Sequence, residues 1–84
     1  MGLTGSPITD LDLRIVAELE RAHGEGSILT GDLADVLDVS VQAVSARLRI
    51  QRKRGWVHRH KVDGRWVAWS LVEDAFRTQP WRQS

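Results

Sequence analysis

The chain of 84 residues is long enough for one small domain and too short for two. It has no cysteine, which excludes a disulfide framework and a thiolate metal site, and no apolar run approaches the roughly 18 residues of a membrane span. Its 12 basic and 11 acidic side chains give a net charge of only +1, which by itself points to no partner. Because the N-terminus lacks a secretion signal, we expect a cytoplasmic protein with no membrane contact.

The distribution of charge along the chain is more informative than the sum. Residues 10–38 carry eight acidic and two basic side chains, whereas residues 40–84 carry ten basic and three acidic ones. This asymmetry favours an anion-binding face backed by an acidic face that a protein partner could use. The alternative interpretation is a pair of oppositely charged faces that are merely solvated.

The first helix is predicted over residues 10–23. Thr9 precedes it as a favourable N-cap. Its apolar residues follow the spacing of one helical stripe, and Gly24 ends it. Residues 1–8 are interpreted as a flexible lead-in.

Two more helices follow, separated by a tight turn. After a short extended segment at 27–29, Thr30 is predicted to cap a helix over about 31–37, in which Leu33, Ala34 and Leu37 are buried. Ser40 is predicted to cap a longer helix over about 41–54, which the next residue, a glycine, ends.

The longer helix has two distinct sides at roughly 100° per residue. Its apolar side carries Val41, Val44 and Leu48, and its opposite side carries Gln42, Ala46, Arg49 and Lys53. Gln51 also falls on the apolar side, so we expect either a shifted or shortened helix or a buried hydrogen bond to this amide.

The pattern then changes from a helical to an extended period. Residues 56–62 and 65–71 flank Asp63-Gly64, a pair typical of a two-residue type I′ hairpin turn. This turn pairs Val62 with Arg65. It places Trp56, Val67, Trp69 and Leu71 on the core face of the hairpin, and Arg59, Lys61, Trp66 and Ser70 on the other face.

The end of the chain is predicted to hold a short last helix over about 72–77 and a tail over 78–84. In the tail, Trp81 either anchors onto the first helix or contacts a second copy of the chain. His58 and His60 have the spacing of two residues on one strand face, but without cysteine they make a poor metal site. We interpret them as half-buried strand residues beside Val67 and Trp69, and expect no metal and no cofactor.

Two short helices, a tight turn and a hairpin are the plan of a winged helix-turn-helix. We therefore predict a mainly α fold with a β-hairpin, comprising three helices and a two-stranded wing, over residues 9–77. Residues 30–40, TGDLADVLDVS, resemble the helix-turn segment of the MarR, ArsR and Lrp-type regulators. The segments VSARL at 44–48 and GWVHR at 55–59 resemble their recognition helix and wing start, whereas Gln51 stands where these families usually have leucine.

The resemblance implies a DNA-reading helix over 41–54. Glutamine pairs well with adenine edges and arginine with guanine edges in the major groove, which favours base contacts for Gln42 and Arg49, with Ala46 and Lys53 beside them. Ser40, Ser45 and Arg47 are better placed for phosphates. The resemblance also implies that the wing cations Arg59, Lys61 and Arg65 contact the DNA backbone or the minor groove.

The function predicted is sequence-specific binding of double-stranded DNA by a small transcriptional regulator. A homodimer on two half-sites would give such a small module useful affinity. The alternatives are an architectural, excisionase-like DNA-binding protein and a winged helix that binds another protein. RNA binding lacks the expected aromatic platform, for which Trp66 is the single candidate. No catalytic constellation is present in the sequence, so we do not expect an enzyme.

Overall fold

A computed structural model of the chain describes residues 7–64 and 66–82. The elements in chain order are α1 (Asp10–Arg21), β1 (Ile28–Leu29), α2 (Thr30–Leu37), α3 (Val41–Lys53), β2 (Val57–Val62), β3 (Trp66–Leu71), α4 (Glu73–Thr78) and a 3-10 turn (Pro80–Arg82). The strands form one antiparallel sheet in the order β1-β3-β2. The predicted winged helix-turn-helix is confirmed, and the extended segment before α2 adds a third strand to its wing. In the described part of the chain, no helix has the length and apolar character needed to cross a bilayer.

Two of the predicted caps are confirmed. The amide of Asp12 donates to Thr9 Oγ1 at 3.2 Å and the amide of Thr9 donates to Asp12 Oδ2 at 2.8 Å, which forms a reciprocal capping box on α1. Ser40 Oγ accepts a hydrogen bond from the amide of Ala43 at 3.1 Å at the start of α3. That helix ends before Gly55, whose φ of 82° suits a residue without a Cβ.

The prediction that Thr30 caps α2 is wrong. The helix begins at Thr30 itself, and no side chain caps it. The hydroxyl of Thr30 instead donates to the carbonyl of Val67 at 3.0 Å and accepts from the indole N–H of Trp69 at 2.8 Å. Because β1 pairs with β3 and runs directly into α2, this hydroxyl is held at the central strand and not at the helix N-terminus.

The core lies between the helices and one face of the sheet. The three apolar residues predicted for α2 are buried, together with Ile15, Val16 and Leu19 of α1 and Val44 and Leu48 of α3. Val41 was predicted on the same side but is 48% exposed, so this prediction is wrong. As the first residue of α3, it lies on an open cleft between α3 and the sheet and not against the core.

The hairpin register differs by one residue from the prediction. Val62 pairs with Trp66, so three residues separate the paired ends of β2 and β3, where two were expected. Asp63 and Gly64 both have positive φ, at 52° and 70°, as a type I′ turn requires. The predicted partner of Val62, Arg65, lies outside the described residues.

The register shift changes which residues share a face of the sheet, because side chains directly opposite each other point to the same side. Arg59 pairs with Trp69 and Lys61 with Val67. Arg59 and Lys61 therefore lie on the same face of the sheet as Val67 and Trp69, which were predicted on the core face. The prediction that the two cations share a face with Trp66 is wrong. A slip of one residue moves every side chain of a strand across the sheet.

His58 and His60 lie opposite Ser70 and Ala68, and both histidines are exposed. His60 Nε2 and Ser70 Oγ form a hydrogen bond of 2.8 Å. The expectation of half-buried histidines is therefore wrong, again because of the register. Within residues 7–64 and 66–82, no three His, Cys, Asp or Glu side chains are grouped so that they could hold a metal ion.

The C-terminal segment packs onto α1. Trp81 is buried, with its ring edge-on to that of Trp56 at a centroid distance of 5.3 Å. Glu20 of α1 accepts a hydrogen bond from Gln79 Nε2 at 3.2 Å and pairs with Arg82 at 3.5 Å. Of the two alternatives for Trp81, the structure supports the anchor on the first helix.

Candidate nucleic-acid interface

The outer side of α3 carries the polar residues that the helical period placed there. Val44, Leu48 and Gln51 are buried, which fixes the rotation of the helix about its axis. The opposite side is exposed, at Gln42, Ala46, Arg49 and Lys53. Ser40 is exposed at the N-terminus of α3, and Ser45 is half-buried beside the cleft that separates α3 from the sheet.

This open cleft, which we call the α3–wing cleft, has a volume of about 800 Å³. One wall is formed by α3 and the other by β2 and β3, with the start of α2 at one end. Its described lining includes four cations and no acidic residue: Arg49, Arg52, Lys53 and Arg59. None of the four forms an ion pair with a described acidic side chain, so their field is uncompensated within the cleft.

Several other cations of the molecule are satisfied internally. Arg21 pairs with Glu18 at 3.0 Å, and Arg14 donates to the carbonyl of Leu37 at 2.8 Å. The unpaired cations of the basic half of the sequence are therefore more clearly separated from the acidic side chains in the folded structure than they are along the chain. Four cations without an ion pair to a described acid line the α3–wing cleft, whereas Arg14 and Arg21 of α1 bind a carbonyl and a carboxylate.

Arg47 was predicted to contact a DNA phosphate, but in the structure it binds a carboxylate of the chain itself. Its Nε and Nη2 donate to the two carboxylate oxygens of Asp12 at 2.9 and 2.6 Å, a bidentate arrangement. Gln51 Nε2 donates to Asp12 Oδ1 at 3.0 Å, and both Asp12 and Gln51 are fully buried. This resolves the Gln51 alternatives in favour of a buried hydrogen bond. It also removes Asp12 from the solvated acidic face.

These three side chains, Asp12, Arg47 and Gln51, form what we call the cap-to-helix network. It joins the capping box of α1 to the buried side of α3 and so fixes the rotation of α3. The signal in the sequence was the polar Gln51 at a core position. Its partner could not be read, because Asp12 is 39 positions away.

The network shifts the titration of its carboxylate. Burial by itself would raise the pKa of Asp12, but hydrogen bonds from Arg47, Thr9 and Gln51 and the charge of Arg47 lower that pKa from 3.8 to about 2. The hydrogen bond with Asp12 in turn raises the pKa of Arg47. Because the folded-state pKa of Asp12 lies below the unfolded value, its stabilisation is complete well above pH 3.8 and is lost as the pH falls towards 2.

We therefore expect the wild-type chain to lose roughly 2 kcal/mol more unfolding free energy than an Asp12→Asn variant between about pH 6 and about pH 2. The variant has no carboxyl at this position and so lacks this part of the pH dependence. Urea titrations followed by circular dichroism at both pH values measure the difference. Equal losses in the two proteins would show that another group titrates.

Two residues that line the α3–wing cleft, Arg52 and Trp66, were not among the site residues predicted from the sequence, although Trp66 was noted on the outer face of the wing as a residue that could pack on sugar, contact a partner subunit or fold over the tip. Arg52 belongs to the basic run, but the helical wheel separates it from the face that begins at Gln42. Both residues join the site only because the sheet folds beside α3. Lys61 is exposed on β2 and is not part of the cleft lining, and Arg65 lies outside the described residues.

The fold and the exposed, cation-rich α3 define a winged helix-turn-helix protein. The family model of the MarR family matches residues 6–65, more than half of the chain, and the chain belongs to the MarR family. No curated protein matches the sequence.

Solved structures share the fold of the chain. The S. aureus MepR–DNA complex has a TM-score of 0.75 at 22% identity, over 83% of this chain and 57% of that one. A mutant of E. coli MarR complexed with operator DNA has a TM-score of 0.71 at 26% identity, over 86% of this chain and 52% of that one. Streptococcus pneumoniae FabT in complex with DNA has a TM-score of 0.67 at 18% identity, over 89% and 53%. The chain thus spans little more than half the length of these structures.

Proposed function

We propose that the chain binds double-stranded DNA sequence-specifically and acts in transcriptional regulation, with α3 in the major groove. One observation carries the proposal. The exposed side of α3 is continuous with a cleft that holds four cations and no described acid. Such a surface matches the phosphate backbone, which supplies much of the affinity of DNA-binding proteins. Membership of the MarR family and the DNA-bound MepR and MarR structures support the same function.

The predicted site residues in and next to α3 each have a role that their chemistry suits. Gln42 and Arg49 would contact base edges, and Ala46 would allow the helix to approach them closely. Lys53 and the hydroxyls of Ser40 and Ser45 would contact phosphates. We assign Arg47 to the cap-to-helix network and leave it out of the phosphate contacts.

In the wing, Arg59, Lys61 and Arg65 are the residues proposed to contact the backbone or the minor groove. We further propose that two copies bind as a homodimer, because two half-sites one helical turn apart give a small module adequate affinity. Selection of bound fragments from random duplex DNA tests this point. A palindromic consensus supports the dimer, and a single unpaired site contradicts it.

The DNA-binding surface is tested with an Arg49→Ala/Lys53→Ala variant on the selected duplex. We expect the affinity to fall by roughly 10- to 100-fold, since one base contact and one phosphate contact are lost. The slope of log K against log salt should become shallower by about 0.9 for each phosphate contact removed. Fluorescence anisotropy of a labelled duplex over a salt series measures both quantities.

The matched control is Arg21→Ala/Arg77→Ala, which removes the same formal charge from helices away from the α3–wing cleft. This control should bind as the wild type does. Equal affinity of the two double variants would contradict the assigned surface. A wild-type chain with no salt-sensitive affinity for any duplex would contradict DNA binding altogether and favour the protein-binding alternative.

A further inference from the structure

One face of the sheet carries two neighbouring histidines. His58 and His60 alternate with Arg59 along β2, so their side chains lie on one face of the sheet and those of Arg59 and Lys61 lie on the other. The two imidazole rings are 6.1 Å apart between centroids and inclined at 57° to each other. In place of the half-buried histidines expected from the sequence, the structure has two exposed imidazoles side by side.

The residues around the pair carry no charge that would compete for a ligand. The other residues that β2 and β3 place on this face are uncharged: Val62, Trp66, Ala68 and Ser70. No cation of these two strands therefore repels a metal ion from this face. Neither His58 nor His60 forms an ion pair with a described carboxylate, so both rings are available to a ligand.

One of the two histidines is oriented by a hydrogen bond. His60 Nε2 and Ser70 Oγ are 2.8 Å apart. In the tautomer that carries its proton on Nε2, the ring donates to the hydroxyl, and Nδ1 keeps the lone pair that a metal ion requires. Histidines that bind metals almost always donate their second ring N–H to an oxygen atom in this way, which fixes the tautomer and the orientation of the ring.

The spacing of the rings suits a shared metal ion. A zinc ion lies about 2.0–2.1 Å from each imidazole nitrogen that binds it, which places two such ring centroids roughly 5 Å apart in a tetrahedral arrangement. The observed separation of 6.1 Å is about 1 Å longer. Exposed side chains change rotamer within nanoseconds, so His58 and His60 can close this difference without movement of the strand.

We propose that His58 and His60 together bind one divalent transition-metal ion of the kind that imidazole favours, Cu²⁺, Ni²⁺ or Zn²⁺, with water in its remaining positions. Ser70 is a positioning residue, because it acts on the metal only through His60. The site lies on the opposite face of the sheet from Arg59, which lines the α3–wing cleft, and does not depend on the proposed function. With two protein ligands it is an open site, weaker than a closed structural zinc site.

The first test titrates the full chain with metal chlorides in an isothermal calorimeter. We expect one Cu²⁺ ion per chain, with weaker binding of Ni²⁺ and Zn²⁺ and still weaker binding of Mn²⁺. Mg²⁺ should not bind, because it requires oxygen ligands. Electron paramagnetic resonance of the Cu²⁺ complex should show coupling to two nitrogen atoms. Coupling to a single nitrogen, or Mg²⁺ bound as tightly as Cu²⁺, would overturn the site.

The second test uses variants of the pair. His58→Ala and His60→Ala should each weaken Cu²⁺ binding by roughly 100-fold, because the second imidazole binds as an intramolecular ligand. His23→Gln is the matched control, since this histidine lies outside the wing and pairs with Glu73 at 3.3 Å. It should bind Cu²⁺ as the wild type does, and circular dichroism verifies that each variant is folded.

A third variant tests whether the shared face of the sheet is essential. His60→Ala/Lys61→His keeps the number of histidines in the chain but moves one imidazole to the opposite face. It should bind Cu²⁺ as weakly as His60→Ala, and wild-type affinity would overturn the proposal. Ser70→Ala should weaken binding by about tenfold, and an unchanged affinity would overturn the positioning role. One ion per two chains, with a metal-dependent rise in mass by ultracentrifugation, would replace the single-chain site by a bridge between two copies.

Discussion

Replacement of Asp12 by alanine is expected to lower the free energy of unfolding by about 3–5 kcal/mol. The carboxylate is fully buried and accepts hydrogen bonds from Arg47 and Gln51. Its loss would leave a guanidinium and an amide without their partner, and it would also break the capping box with Thr9. Urea denaturation followed by circular dichroism at neutral pH measures the change.

Asp10→Ala is the matched control, because Asp10 is an exposed acid in the same first turn of α1. It loses only a favourable interaction with the helix dipole, about 0.3–1 kcal/mol. Similar effects of the two substitutions would contradict a special role for the buried carboxylate. A triple variant, Asp12→Leu with Arg47→Met and Gln51→Leu, should recover much of the lost stability, since apolar groups can replace a buried ionic cluster.

The second large effect is expected at the C-terminal end. Trp81→Ala should cost about 3–5 kcal/mol, the range for removing a buried aromatic side chain. Trp81 packs edge-on against Trp56 and lines a groove with Leu13 and Val16 of α1. Thermal and urea unfolding of the variant measure the loss, and the near-ultraviolet circular dichroism of the tryptophan pair should weaken with it.

Trp81→Phe is the conservative control for this site. The indole N–H of Trp81 has no hydrogen-bond partner among the described residues, so phenylalanine removes volume but no hydrogen bond. We expect it to retain most of the stability that alanine loses. An unchanged stability of Trp81→Ala would show that the 3-10 turn adds nothing to the core.

The features of the fold that were predicted correctly, such as the helix ends, depend on residues that are close together in the sequence. Thr9, Ser40 and Gly55 act within one turn of their helices, so their side chains identify helix ends directly. Thr30 looks equivalent, but its hydroxyl is bound by strand residues more than 35 positions further on. A residue with a distant partner cannot be separated from a local cap by sequence pattern.

The candidate site also has one part that the sequence could predict and one part that it could not. The exposed side of α3 follows from the helical period, which needs no tertiary information. The α3–wing cleft depends on the placement of the sheet and on its register, and the Asp63-Gly64 signal identified the turn but not the number of residues between the paired ends. Arg47 illustrates a further limit, because a cation that binds an internal carboxylate has the same sequence signature as one that faces solvent.

The hydroxyl of Thr30 has one more consequence. It bridges the first residue of α2 to two residues of β3, and β1 enters α2 with no intervening loop. This hydroxyl therefore links the start of the helix-turn-helix to the central strand of the sheet. A-form duplexes have a deep, narrow major groove that side chains cannot read. If α3 enters a major groove as proposed, double-stranded RNA would therefore offer it no bases to read.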